Sequence, residues 1–184
     1  MEQTEIGYND MQTVKRRFFA MRNGIIADTL RKGGSPFRII FGLNLPQIVE
    51  IAAESPHSAD FAQSLWDNST TRESMLMAPM LYPRDQFDID TAREWVARIP
   101  ACEIADILCH RLLRHMPYAM AFAEELCLSA DEMARYTGLR LYFNLVYTHP
   151  REALAAAKRE LAAPSALTGR LASQLGEEAA FCLE

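Results

Sequence analysis

Apolar residues in the stretch 102–115 recur at the spacing of one buried face on an α-helix. The stripe consists of Ile104, Ala105, Leu108, Cys109 and Leu112. Polar residues share the opposite face, and Asp106 to His110 and His110 to Arg114 are both four-residue steps. The pattern therefore predicts a helix with one buried side and one charged side. The charged side is either a solvated surface with pairs inside the helix or a carboxylate presented to a cationic ligand.

Similar patterns, separated by turn signals, predict helices along nearly the whole chain. We expect helices at 9–32 with a possible break at Asn23-Gly24, and then at 44–54, 58–66, 70 to a kink or end near 79, 91–99, 102–115, 118–126, 131–147, 150–161 and 165–181. The helix at 131–147 is apolar on more than one side, so it should be central. The stretch 37–41 reads as an apolar connector or a short helix, because a single β-prone run does not make a sheet.

Three helix starts resemble capping boxes, in which a hydroxyl accepts from the backbone N–H three residues on and a glutamate reaches back. The pairs are Thr70 with Glu73, Thr91 with Glu94, and Ser129 with Glu132. We expect each pair to satisfy donors that the first turn of its helix leaves free.

The spacing of the helices predicts the architecture. Two consecutive helices with their turns take roughly 30 to 40 residues, which is the period of helical-hairpin repeats. We therefore expect an all-α protein whose residues 1–184 form a single domain, an α-solenoid of HEAT-like helical hairpins. A compact irregular bundle is the alternative. In a solenoid, one helix of each pair lines the concave face, which is the default binding surface.

Composition and charge narrow the class of protein. The chain has 184 residues, 49% of them hydrophobic, and no apolar run approaches the roughly 20 residues of a membrane span. We expect a soluble cytoplasmic protein with no membrane partner. The net charge is −5, with positive charge concentrated in residues 1–40 and acidic residues in 41–107. A surface for phosphates would therefore have to be local.

Cysteine and histidine spacing does not indicate a metal site or a cofactor. The four cysteines contain no CxxC pair, and we expect them to be reduced and mostly buried. Cys109 and His110 are neighbours in sequence and would point about 100° apart on a helix. We therefore predict no bound metal and no cofactor.

Arginines in the second half of the chain are the candidates for phosphate contacts. They are Arg111, Arg114, Arg135 and Arg140. The alternative is that they are solvated or form structural ion pairs, which is common for arginines on helices. The two tryptophans, Trp66 and Trp95, lie beside apolar residues and are expected to be core anchors.

Several short segments in the middle of the chain resemble a known protein family. Leu65-Trp66, Thr71-Arg72-Glu73 with the apolar run to Leu81, Trp95-Val96, and Glu103-Ile104-Ala105-Asp106 together resemble the HEAT-repeat DNA alkylation-repair family. The resemblance covers roughly residues 10–150 as a helix pattern, and its recognisable residues lie between Leu65 and Asp106. It implies an alkylpurine DNA glycosylase fold, a C-shaped α-solenoid that holds DNA in its basic concave surface.

The resemblance also implies roles for particular residues. Active members of the family use a catalytic aspartate, a tryptophan four residues before it, a second tryptophan from a later repeat, and an arginine that grips the DNA backbone. Asp106 matches the aspartate by position, and Arg135 lies where the family tends to carry paired arginines. The residue four before Asp106 is Cys102, and no tryptophan follows Trp95.

Two functional hypotheses follow. In the first, the chain is a DNA-alkylation-repair-type protein that binds duplex DNA, with Asp106 catalytic and Arg111, Arg114, Arg135 and Arg140 contacting phosphates. In the second, it is a non-catalytic helical scaffold that binds a protein or peptide. The first requires the arginines to converge without neutralising acids, whereas the second predicts interleaved charges and an exposed apolar patch.

Overall fold

A computed structural model describes the backbone of residues 2–184 and the side chains of residues 10–184. Over these residues the chain forms eleven α-helices and one short 3-10 helix, and its only β pairing is an isolated bridge between Ile39 and Thr71. The predicted all-α fold class is therefore confirmed. The α-helices are α1 Glu2–Ala20, α2 Gly24–Lys32, α3 Leu45–Ala53, α4 Ala59–Asp67, α5 Arg72–Leu81, α6 Ile89–Val96, α7 Cys102–Arg111, α8 Ala119–Cys127, α9 Glu132–Leu145, α10 Pro150–Ala162 and α11 Gly169–Phe181.

Local helix signals account for most boundaries. The predicted break before Gly24 is confirmed, because the Asn23 side chain accepts from the N–H groups of Ile25 and Ile26 and starts α2. Pro79 lies inside α5, which ends two residues later at Leu81. The helix predicted over 102–115 is shorter than expected. Leu112 leaves the α-helical region, and the chain continues as the 3-10 helix Leu113–His115.

The three predicted capping boxes are wrong. Helix α6 begins earlier than predicted, because the Asp88 carboxylate accepts from the Thr91 N–H at 2.8 Å. Helix α9 is capped by Asp131, which accepts from the Ala134 N–H. In both cases a carboxylate near the expected hydroxyl takes the capping position. The paired arrangement occurs instead at α3, between Asn44 and Gln47.

The third predicted box fails because Glu73 has a tertiary role. Helix α5 has Thr71 at its N-cap position without a side-chain cap bond, and Glu73 is fully buried. The Glu73 carboxylate accepts hydrogen bonds from the N–H groups of Phe41, Gly42 and Leu43, at 3.1, 2.9 and 3.3 Å. The glutamate therefore fixes the connector that precedes α3.

Contacts divide the chain into two compact units, residues 1–87 and 88–184. In the first unit α4 packs on α5, α3 on α5, and α1 on α4, with Trp66 fully buried. Gly42 has a φ of +78°, and a Cβ there would lie 2.1 Å from the Asn23 carbonyl oxygen. Only glycine allows this approach between the connector and the start of α2.

In the second unit α9 is central, as predicted, because it contacts α7, α8, α10 and α11. Trp95 is buried in this unit, so both tryptophans are core anchors as expected. The single-domain organisation and the solenoid remain predictions. No helix among the described residues combines the length and the apolar character needed to cross a membrane.

Candidate functional site

Two helices of the second unit, α7 and α9, form a polar face between them. Three residues on each helix, four positions apart, meet their counterparts across the helix pair. We call this set the α7–α9 face; it consists of Cys102, Asp106 and His110 on α7 and Tyr136, Arg140 and Asn144 on α9. Because the contacts advance in the same direction along both helices, α7 and α9 run parallel. Parallel helices separated in sequence by one helix are typical of stacked hairpins.

Asp106 lies at the middle of the α7–α9 face. Its Oδ1 lies 2.6 Å from Nε of Arg140 and accepts a hydrogen bond from the Tyr136 hydroxyl at 3.0 Å. Oδ2 lies 3.4 Å from a terminal nitrogen of Arg140. The Asp106 side chain keeps 36% of its surface exposed, so the carboxylate is fixed in position and still open to solvent.

The predicted pairs inside helix α7 do not form. Asp106 is engaged by α9, His110 Nδ1 lies 3.2 Å from Oδ1 of Asn144, and Arg114 Nε lies 3.2 Å from Nε2 of His115. A pair within a helix contributes only a few tenths of a kcal/mol (~0.2–0.5), so tertiary partners easily displace it. The charged side of α7 is therefore a contact surface with α9.

Arg140 and Tyr136 both keep their protons beside Asp106. Burial alone would lower the pKa of Arg140, but its hydrogen bond to Tyr136 and the charge of Asp106 outweigh burial and raise that pKa. Burial raises the pKa of Tyr136, and the nearby Asp106 charge adds to the effect. At neutral pH the face therefore holds a guanidinium cation and a protonated phenol that donates to the carboxylate.

Aromatic rings lie beside the Arg140 guanidinium. Its central carbon is 5.9 Å from the Tyr136 ring centroid and 5.7 Å from that of Phe143. Both distances are within the range of cation–π contacts. The rings restrict the guanidinium and keep it directed at Asp106.

Cys102 lies one helical turn before Asp106 and is half-buried. Burial raises the pKa of its thiol, although a hydrogen bond with Tyr136 opposes that shift. The thiol therefore stays protonated at neutral pH and is a small, uncharged neighbour of the carboxylate.

The structure places the four predicted phosphate-binding arginines in different surroundings. Arg140 is paired with Asp106, as described above. Arg135 is also engaged, because its Nε lies 3.2 Å from Glu160 of α10 and its Nη1 donates to the carbonyls of Ser129 and Ala130. Arg135 and Arg140 thus contact different neighbours of α9.

Arg111 and Arg114 lie at the end of α7 and in the 3-10 helix that follows. Both side chains are partly exposed. The Arg111 Nε is buried without a hydrogen-bond partner among the described residues, and the described residues provide neither side chain with an acid partner. No acidic side chain among the described residues therefore neutralises these two arginines.

Tyr136 is the site residue that sequence reasoning missed. It appears in the sequence only as the neighbour of Arg135, and its buried position would suggest a core residue. The one available signal was its four-residue spacing from Arg140, which places both on one side of α9. Its contact with Asp106, 30 residues away, becomes visible only in the folded chain.

The described residues contain no group of three or more side chains arranged to hold a metal ion. A protein-family model described as DNA alkylation repair enzyme matches residues 14–167 of the chain. No curated protein and no solved structure matches it significantly. The matched segment contains the whole of the α7–α9 face.

Proposed function

Because the chain belongs to the DNA alkylation repair enzyme family, we propose that its α7–α9 face binds alkylated duplex DNA and that Asp106 assists release of the damaged base. The observation that carries this proposal is the position of Asp106. Its carboxylate is held by Arg140 and Tyr136, and about a third of its side chain is open to solvent.

The chemistry requires an anion near the reacting sugar. When the bond between a cationic alkylated purine and deoxyribose breaks, the bonding electrons leave with the base, which becomes neutral. Positive charge then grows on the sugar, and a fixed carboxylate stabilises this oxocarbenium-like state. Water adds to the sugar carbon and releases a proton, which leaves an abasic site. In this scheme Asp106 supplies the anion.

Arg140 and Tyr136 act on the Asp106 carboxylate. They hold it in one orientation before DNA arrives, so little reorganisation is needed when charge develops. Their pairing also has a cost, because the Arg140 cation partly neutralises the anion.

With Cys102 at this position, the site binds an alkylated base more weakly than it would with a tryptophan there. A thiol has no aromatic face for a cationic base, and each lost stacking or cation–π partner costs about 1–3 kcal/mol. We therefore propose that lesion recognition depends on the charge of Asp106 more than on stacking. Arg111 and Arg114 are the proposed phosphate contacts, because acids already engage Arg135 and Arg140.

A non-catalytic scaffold that binds a protein or peptide is the second candidate. The observation in its favour is that Arg135 and Arg140 both have acidic partners within the protein. Large apolar side chains exposed in the second unit include Leu128, Tyr147 and Phe181. Such a scaffold would leave alkylated DNA unchanged.

Purified protein mixed with labelled duplex DNA, plain and methylated, separates the two candidates. The repair proposal predicts binding that weakens with salt, together with release of methylated purines. Binding without release would limit the function to lesion or structure recognition. Absence of binding at low salt would reject the DNA proposal and leave the scaffold.

A further inference from the structure

Helix α1 presents a basic and aromatic strip that the proposed repair site does not use. Val14 and Phe18 face the core, and α1 packs on α4. Other residues of α1 recur three and four positions apart and therefore share one exposed side. We call this side, together with Arg22 two residues past the end of the helix, the α1 strip. It consists of Gln12, Lys15, Arg16, Phe19 and Arg22.

An open groove of about 550 Å³ lies along the α1 strip. Gln12, Lys15, Arg16 and Phe19 line it, and Phe41 of the connector forms its remaining wall. This volume is within the range of sites that hold small organic groups. The groove therefore combines aromatic surface with two cations.

The two cations of the groove have no acidic partner among the side chains described. Lys15 and Arg16 are exposed and form no ion pair with any side chain of residues 10–184, whereas Arg17 on another side of α1 pairs with Glu50 and Glu54. Glu50 and Glu54 thus neutralise Arg17, while the described side chains that line the groove carry only positive charge. In a chain of net charge −5, this is a local exception.

Phe19 provides an aromatic surface within this positive groove. Phe19 is 57% exposed. The Arg22 guanidinium covers one side of the ring at 3.8 Å and donates to the Phe19 carbonyl at 2.7 Å. Arg22 therefore holds the ring in place while the ring edge and groove side stay accessible.

We propose that the α1 strip binds a single-stranded segment of nucleic acid, with an unpaired base on Phe19 and phosphates on Lys15 and Arg16. Sequence-independent binders of single strands combine a positive groove with an aromatic side chain on which a base stacks. A duplex would satisfy the cations but would keep its bases away from Phe19. An acidic peptide would also satisfy the cations, and it offers no regular supply of planar groups to the ring.

This inference goes beyond the proposed repair function. The α1 strip lies in the unit formed by residues 1–87, and Asp106 and Arg140 take no part in it. Loss of base release in an Asp106 variant therefore leaves single-strand binding intact. Conversely, a protein without repair activity can still bind single strands through α1.

Fluorescence anisotropy with a labelled single-stranded oligonucleotide tests the inference on the full chain. We expect tighter binding of the single strand than of a duplex of the same length, and Phe19→Ala should weaken it about tenfold. The matched control is Phe181→Ala, which removes a ring that is 72% exposed in the other unit and should leave affinity unchanged.

Charge variants test the phosphate contacts. Lys15→Gln combined with Arg16→Gln should weaken binding. It should also reduce the slope of log affinity against log salt concentration by about 1.4, which is about 0.7 for each lost contact with a single strand. The exposed cations Arg151 and Lys158 of α10 provide the control pair, and their replacement by glutamine should change neither quantity.

Three outcomes would overturn the inference. The first is equal affinity for a single strand and a duplex, and the second is unchanged binding by Phe19→Ala. The third is that inorganic polyphosphate competes for the site as well as an unlabelled single strand does. Each would show that the α1 strip does not recognise an unpaired base. Far-ultraviolet circular dichroism of every variant establishes that a loss of binding is not a loss of fold.

Discussion

The Nε atom of Arg140 lies 2.6 Å from Oδ1 of Asp106, which joins α9 to the helix that carries the candidate catalytic carboxylate. Tyr136 donates to the same oxygen from one turn earlier on α9. Because both partners come from one helix, a shift of α9 along α7 would displace them together. The position of the carboxylate therefore depends on the packing of α9, the central helix of its unit.

Tyr136→Phe removes the hydroxyl that donates to Asp106 and keeps the buried ring. If the hydroxyl orients the carboxylate, the rate of base release should fall about tenfold with little change in DNA affinity. Tyr147→Phe is the matched control, since the exposed Tyr147 hydroxyl donates to Glu178 away from Asp106. Equal rates for the two variants would remove Tyr136 from the positioning of Asp106.

Glu73→Gln replaces a buried carboxylate that accepts from three backbone N–H groups and lies 3.1 Å from the Arg72 guanidinium. The amide can accept fewer of these hydrogen bonds, and it removes the negative charge that Glu73 places beside Arg72. We expect the free energy of unfolding in urea to fall by about 3 kcal/mol.

The control for this prediction is Glu125→Gln. Glu125 pairs with Arg93, and both side chains are more than two-fifths exposed. Its loss should cost no more than about 1 kcal/mol. If Glu73→Gln cost as little as Glu125→Gln, the connector at 41–43 would not depend on the buried carboxylate.

Gly138→Ala tests the close packing of α8 on α9. A Cβ at this position would lie 2.8 Å from both the backbone nitrogen and the sulfur of Cys127, and 2.9 Å from the Ala123 carbonyl oxygen. Since two of these atoms belong to the backbone, the helices must separate to make room for the methyl group. We expect the free energy of unfolding, measured by thermal denaturation, to fall by about 1–3 kcal/mol.

Gly176→Ala in α11 should raise stability, in contrast to Gly138→Ala. The nearest atom to its Cβ would be Ala157 Cβ at 3.6 Å, an ordinary contact. The gain in helix propensity should stabilise the protein by about 0.5–1 kcal/mol. Two glycines inside helices would thus respond with opposite signs, and equal responses would contradict the packing described for α8 and α9.

The raised pKa of the Cys127 thiol leads us to expect a loss of stability at alkaline pH. Burial raises the pKa of its thiol from 9.0 to about 12. Between these values the unfolded chain loses the proton while the folded chain keeps it, so the free energy of unfolding falls as pH rises above about 9. Below that pH the contribution is constant.

Urea unfolding at pH 8 and pH 10 measures this effect. The loss between the two values should be smaller in Cys127→Ala than in the wild type, by about 1 kcal/mol. Because each protein is compared with itself at the two pH values, a change in stability that the substitution causes equally at both values cancels. An identical loss in the wild type and in Cys127→Ala would show that the Cys127 thiol titrates alike in the folded and unfolded chain.

The helices could be predicted because their signals are local. Asn23 marks the start of α2, and the apolar stripe of α7 indicates its buried side. Glu73 could not be interpreted correctly in this way. Its position near a helix start suggested a capping role, whereas its hydrogen-bond donors lie about 30 residues earlier in the chain.

The candidate site was predictable only in part. The resemblance led to Asp106, and Arg140 was a candidate only for contact with phosphate. The contact between Asp106 and Arg140 depends on the parallel packing of two helices separated by α8, which no local pattern specifies. The same limit applies to Arg135, whose acidic partner Glu160 lies on another helix.

The measurement that tests the role of Asp106 most directly compares base release from methylated duplex DNA by the wild type and Asp106→Asn under single-turnover conditions. Asparagine keeps the shape of the side chain and an acceptor for Tyr136 but removes the charge. Glu177→Gln, at an exposed position of α11, is the control. We predict a fall of about a hundredfold or more for Asp106→Asn and none for the control. Release by Asp106→Asn at the wild-type rate, or no release by the wild type, would contradict a catalytic Asp106.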